Sequence, residues 1–195
     1  MSHRREPEVL DLYRKALEEF GRRVHLVAAH QWAAPTPCSE WSVRDLVNHV
    51  TAEQLWVPEL LMGSTIAEVD GRFDGDVLGE NPVAAWDAAA GAAREAFELP
   101  RALDLVVHLS YGDTSGLVYC NQMVADVTVH SWDLARGAGA DGRLPAELVD
   151  FTLREVSAYG EAATAAGLFA PPLAVPADAA PQTRLLALTG RRDGP

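Results

Sequence analysis

The chain has 195 residues, 48% of them hydrophobic and 23% charged, with a formal net charge of −12 from 28 acidic and 16 basic side chains. That is enough chain for one ordinary domain with a real core. The acidic balance argues against a nucleic-acid or anionic-membrane partner, since both need basic surface, and two cysteines without a CxxC frame exclude a disulfide scaffold and a Cys-based zinc finger.

No long uninterrupted apolar run is present, so no transmembrane helix is expected. Residues Met1 to Glu8 lack the apolar region and small-residue cleavage site of a secretory signal. The expectation is a single cytoplasmic domain over residues 1–195, with Cys38 and Cys120 reduced.

A first helix is predicted from about Pro7 to Ala29. Val9, Leu10, Tyr13, Ala16, Leu17, Phe20, Val24 and Val27 recur at three- and four-residue steps. The closely spaced prolines of Pro35-Thr36-Pro37-Cys38-Ser39 predict a loop. Ser42-Val43-Arg44-Asp45 resembles a capping box, with Asp in place of Glu, and opens a second helix that Gly63 can end. Residues 70–79 read as a loop. Asn81 and Pro82 suit the cap and first turn of a third, alanine-rich helix to about Phe97.

Leu103 to Leu109 fits either a short extended segment or an irregular connection. Gly112-Asp113-Thr114 is expected to be a turn that caps a fourth helix, from about Ser115 to Arg136 and stopped by Gly137 and Gly139. A fifth helix is predicted from Pro145 to about Ala166, ended by Gly167. The apolar stretch Arg184-Leu185-Leu186-Ala187-Leu188 is expected to dock on the body, because it is costly to expose. Helical patterns with short connections predict an all-α antiparallel bundle with an additional helix and short irregular segments.

Asp126 and His130 stand four residues apart on the fourth helix and so share one face. His49, on the second helix, can complete a set of three. Two imidazoles and a carboxylate leave one position open on a tetrahedral metal, as catalytic zinc sites do. Taken alone, such spacing more often marks a surface pair or a satisfied core pair. Here the surrounding run is apolar, Met123-Val124-Ala125 and Val127 and Val129, and a buried carboxylate needs compensation there.

Further residues are weighed around this set. Glu53, one turn beyond His49, is a candidate general base, with a solvated helix position as the competing reading. His108 is a candidate acid or base, against a histidine satisfied by backbone. Gln122, one turn before Asp126, is a candidate contact for a cofactor. Trp56 and Trp132 are candidate pocket walls, against ordinary core packing. Cys38, near a helix start, has a faint case as a reactive thiol. Arg44, Arg72 and Arg101 are not placed by the sequence.

The segments PTPCSEWSVRDLVNHV and DVTVHSWDLARG, with the ending PQTRLLALTG, resemble an actinobacterial family of small metal-binding proteins. That family is related to the N-terminal domain of mycothiol-dependent maleylpyruvate isomerase and to the DinB-like four-helix bundles. The resemblance implies a divalent metal, zinc first and nickel or iron next, held by His49, Asp126 and His130. It differs from the isomerase's pattern in having Asp rather than Glu at the acidic position. At 195 residues it is expected to lack the isomerase's separate C-terminal domain, so the resemblance does not carry over that enzyme's own reaction.

The implied activity is a thiol (mycothiol)-dependent transferase or isomerase acting on a small electrophilic metabolite. Three readings compete with it: a metal-binding protein without turnover, a metal-dependent hydrolase, and a specialised-metabolism bundle with a non-metal pocket. The implied partners are a small-molecule substrate and a low-molecular-weight thiol, with a homodimer compatible with bundles of this kind.

Overall fold

The structure, a computed structural model, describes residues 6–165 and 169–194. Seven helices are present among them: α1 Glu6–Leu26, α2 Val43–Leu61, α3 Ile66–Val69, α4 Pro82–Glu98, α5 Gly116–Gly137, α6 Ala146–Ala165 and α7 Pro181–Leu188. One antiparallel hairpin joins β1, Val106–Leu109, to β2, Gly112–Ser115. No described helix is long and apolar enough to cross a membrane.

Four long helices close into a ring. The α1 helix packs on α5 and α4, and α2 packs on α4 and α5. Each helix therefore presents an apolar stripe to two neighbours, which is the packing problem a four-helix bundle solves. The α1 stripe is Val9, Leu12, Tyr13, Ala16, Leu17, Phe20 and Val24, all buried. Phe20 meets Trp86 of α4 at 4.7 Å between ring centroids, and Tyr13 meets Phe97 edge-on at 5.1 Å. Tyr13 also donates to Gln54 Oε1 on α2 at 2.5 Å, so the one polar pair in this layer is satisfied.

The predicted caps form. Ser42 Oγ accepts from the Asp45 N–H at 3.2 Å, and Asp45 Oδ2 accepts from the Ser42 N–H at 2.9 Å. Asn81 Oδ1 accepts from the Ala84 N–H at 3.2 Å, with Pro82 in the first turn. Helix α1 ends at Leu26, short of the predicted Ala29. Residues 29–31 instead form a 3₁₀ turn, where Gln31 Oε1 accepts from the Ala28 N–H and Gln31 Nε2 donates to Ala138 O, both at 2.7 Å. Those bonds tie the turn to the end of α5 and break the helix there.

The stretch Gly112-Asp113-Thr114 is a strand, not a turn. It pairs with Leu109, His108 and Val107 across Ser110 and Tyr111. The cap of α5 is Ser115, whose Oγ accepts from the Val118 N–H. The segment 103–109 resolves into a 3₁₀ turn at Ala102–Asp104 followed by β1. The predicted end of α6 at Ala166 and Gly167 lies outside the described residues.

Helix α6 packs on α5, and α7 packs on α6. The tail docks as its apolar run requires: Leu185 and Leu186 are buried in a second cluster with Val129 and Trp132 of α5, and Ala187 is buried beside them in sequence. Thus α5 is covered by α1, α2 and α6, which is why most of its residues are buried, polar ones included. A polar side chain on such a helix must find partners inside the protein.

Candidate metal centre

The candidate site lies where α2 faces α5. Asp126 and His130 share a face of α5, and Asp126 Oδ1 lies 3.4 Å from His130 Nε2. His49 of α2 reaches the same place. The ligand atoms of His49, Asp126 and His130 all lie within 4.8 Å of one another. The His49 and His130 rings meet edge-on at 5.3 Å.

A loop seals one side. Val43 N donates to Ala34 O at 2.8 Å, Arg44 N to Trp32 O at 2.9 Å, and Thr36 N to Trp41 O at 3.0 Å. These bonds hold Trp41 with its ring 4.7 Å from His49 and 6.2 Å from His130. The loop lies so close to the end of α5 that a Cβ on Gly137 would come within 2.9 Å of Thr36 and Val43 side chains.

Behind His130 stands Asp133, whose side chain is fully buried. Asp133 Oδ2 lies 3.0 Å from His130 Nδ1. It also accepts from the Cys38 thiol at 3.2 Å and from Arg191 Nη2 at 2.7 Å. A histidine whose Nδ1 is bound to a carboxylate offers Nε2 as a ligand, the orientation that outer carboxylates impose on metal-binding histidines.

The electrostatics follow from burial and these partners. Burial opposes charge on His130, but Asp126, Asp133 and Cys38 outweigh it and raise its pKa well above the ordinary value. Burial holds His49 below its ordinary pKa, against the pull of Asp126. Burial works against ionised Asp126 and Asp133 as well. His130 and His49 nevertheless keep Asp126 low, and His130 and Arg191 keep Asp133 low. Glu53 is pushed up to about 7, first by burial and then by the Asp126 carboxylate.

Asp126 Oδ2 is buried and has no hydrogen-bond partner among the described residues. A carboxylate that converges with two imidazoles and keeps a buried oxygen unpartnered is an arrangement a divalent cation satisfies. The donor set therefore fits a metal. Cys38, His130 and Asp133 form a second trio within 4.8 Å, but Arg191 is already bound to Asp133 there.

The other expected residues fall at varying distances from this chemistry. Glu53 is partly buried, and its charge is coupled to Asp126 and His130. Gln122 is half-buried and accepts from the Tyr111 hydroxyl at 2.7 Å. Trp56 packs edge-on against Phe73 at 5.7 Å; the indole on His49 is Trp41. His108 is engaged by Asp113 across the hairpin, Nδ1 to Oδ1 2.7 Å, away from the donor set's own contacts. Trp132 belongs to the second cluster, under the Arg136 guanidinium. Cys120 is buried, which pushes its thiol pKa up and leaves it inert. Arg44, Arg72 and Arg101 pair with Asp76, Glu59 and Asp104 at the surface.

Asp133, Trp41, Tyr119 and Arg191 were not singled out from the sequence. Asp133 had a signal, since it follows His130 by three residues on the same helix. Tyr119 is buried, and Glu53 and Asp126 add to burial in raising its pKa. Arg191 is 58 residues from its partner and had none.

The fold and site thus define an all-α, DinB-like helical bundle with a His, Asp and His donor set across two facing helices. The family model described as the mycothiol maleylpyruvate isomerase N-terminal domain matches residues 13–135, and the chain belongs to that family. Two uncharacterized proteins of Mycobacterium tuberculosis, from strains CDC 1551 / Oshkosh and ATCC 25618 / H37Rv, are each 34% identical over 136 residues. The alignment covers 70% of this chain and 70% of each relative. No solved structure matches the chain.

Proposed function

We propose that this protein is a divalent-metal-dependent enzyme that uses a low-molecular-weight thiol, mycothiol, to attack a small electrophilic metabolite, as a transferase or isomerase. The observation that carries the reading is the convergence of His49, Asp126 and His130, whose ligand atoms lie within 4.8 Å of one another, at a carboxylate whose Oδ2 is buried without a partner among the described residues. Its membership of a mycothiol-related family supplies the thiol.

His49, Asp126 and His130 would hold the metal; these ligands suit zinc first, and also nickel or iron. When bound, a divalent ion supplies Lewis-acid chemistry and lowers the pKa of the group at its open position. Glu53, one turn from His49 and raised to about 7 in the metal-free protein, accepts the thiol proton on its carboxylate. The thiol sulfur then bonds to an electrophilic carbon of an activated double bond, whose π bond breaks and whose electron pair moves away from the new C–S bond. In an addition, the proton returns from Glu53 to the substrate; in an isomerisation, the sulfur subsequently leaves. Trp41 covers the imidazoles on one side and limits water there.

The test is elemental analysis of untagged protein beside H130A, followed by mycothiol consumption with a panel of small electrophiles. About one metal per chain in the parent and little in the variant is expected, with consumption only by the loaded parent. Absence of metal in both, even after reconstitution with zinc or nickel, overturns the reading.

A further inference from the structure

The C-terminal segment sends one side chain into the candidate centre from outside the stretch that the family model matches. Arg191 follows α7, its N–H donating to Leu186 O at 2.8 Å and its Nη1 to Thr189 O at 2.9 Å. Leu185 and Leu186 of α7 are fully buried, so the base of this arm is fixed. The guanidinium grips Asp133 with two bonds, Nε to Oδ1 at 2.8 Å and Nη2 to Oδ2 at 2.7 Å.

The two-pronged grip matters because Asp133 has no exposure and bonds His130 Nδ1 through Oδ2. A buried carboxylate without a cation is costly. A single bond would leave it free to turn about its own axis; the arginine fork fixes its plane. With that plane fixed, the His130 ring is fixed as well. Only Nε2 then remains to face Asp126 and His49.

The same guanidinium stands 3.6 Å from Cys38 Sγ. It therefore puts a permanent positive charge among Cys38, His130 Nδ1 and Asp133. A cation approaching that side meets repulsion and finds Asp133 engaged.

We propose that Arg191 is a positioning residue of the metal centre: through Asp133 it holds His130 with Nε2 toward His49 and Asp126, and by its charge it directs a metal to that side of the ring. The proposal rests on the metal reading above.

The test measures zinc affinity by chelator competition for the parent, R191M, R191K and T183A. It also follows the hydrogen-bonded Nδ1 proton of His130 by NMR in metal-free protein. R191M keeps the apolar stem and removes the charge. T183A removes only the Thr183–Asp193 hydrogen bond of the same segment. R191M is expected to weaken zinc binding about 10–100-fold and to lose the slowly exchanging Nδ1 proton. R191K, with a cation but no fork, recovers part of the affinity, and T183A matches the parent.

Zinc binding by R191M within about twofold of the parent, with the Nδ1 proton retained, overturns the proposal. An equal loss in T183A overturns it too, since tail docking alone would then explain the effect. If R191M does not fold, R191K carries the comparison. If the parent binds neither zinc nor nickel, the metal reading falls by itself, and the Nδ1 proton still decides whether Arg191 positions His130.

Discussion

His130 is held between two carboxylates of its own helix: Nδ1 lies 3.0 Å from Asp133 Oδ2, and Nε2 lies 3.4 Å from Asp126 Oδ1. The two contacts differ in kind. Asp133 has no exposure and is bound by Arg191 and Cys38, whereas Asp126 keeps one oxygen without a partner among the described residues. One carboxylate is positioned to orient the ring, and the other is the one the proposed metal would take.

Asp133→Asn separates these roles. The amide leaves Arg191 buried without its counter-charge, and breaking a buried pair on one side costs about 3–5 kcal/mol. Urea denaturation at neutral pH checks that loss. Because Asp133 is held below the ordinary carboxylate range, its contribution is fully present above about pH 4 and is lost as pH falls toward its folded value. The gap between parent and variant should therefore narrow below about pH 4. A gap of constant size down to about pH 2 would show that the charge on Asp133 is not what stabilises the fold.

Metal uptake should be proton-linked. The raised pKa of His130 means that metal-free protein carries a proton where a cation is expected, between Asp126 and His49. A metal must displace it, so affinity rises with pH through and above the ordinary histidine value. Calorimetry in buffers of different ionisation enthalpy should detect about one proton released per metal. Metal at about 100 times its dissociation constant should stabilise the parent by about 2.7 kcal/mol and leave H49A and H130A unchanged. Equal stabilisation of the variants would place the metal elsewhere.

The bundle was legible because its signals are local. The α1 stripe, the Ser42 capping box and the Asn81–Pro82 start each lie within a few residues of what they determine. The hairpin was legible only in part: residues 103–109 are compatible with an extended segment, but Gly112 and Asp113 carry little strand preference of their own and become extended by pairing with β1. At the candidate site, Asp126 and His130 announce themselves by four-residue spacing. The Trp41 contact with His49 depends on how a proline-containing loop folds back, and Arg191 depends on where α7 docks. Neither is encoded in spacing along the chain.

Glu53 provides a pH signature. Burial and Asp126 raise its pKa from 4.5 to about 7, so the folded metal-free protein binds a proton there that the unfolded chain releases. Its favourable contribution is complete below about pH 4.5 and is lost as pH rises through about 7, on the order of 3 kcal/mol in all. E53Q should remove this dependence, making the variant relatively more stable than the parent above about pH 7. In the proposed reaction, E53Q also removes the proton acceptor, for a drop in rate of about 100-fold or more. Denaturation across pH reads the first effect and thiol consumption reads the second. An unchanged rate profile would remove Glu53 from proton transfer.

Gly116→Ala tests whether the hairpin end of the bundle is separable from the candidate centre. A Cβ at Gly116 would lie 2.2 Å from Ala102 O and 3.1 Å from the Leu103 Cα, and Gly116 N already donates to Leu105 O at 2.8 Å. The clash is with backbone, which cannot rotate away, so the substitution must push the 102–105 turn off α5. A loss of about 1–3 kcal/mol is expected in denaturation. Asp126 lies ten residues further along the same helix, roughly 15 Å at 1.5 Å per residue. Its partners come from α2 and from α5 itself, not from the displaced turn. Zinc affinity of G116A should therefore stay within about threefold of the parent while stability falls, since separated sites perturb each other little. A parallel loss of both would mean that the first turns of α5 transmit the hairpin's position to the donor set.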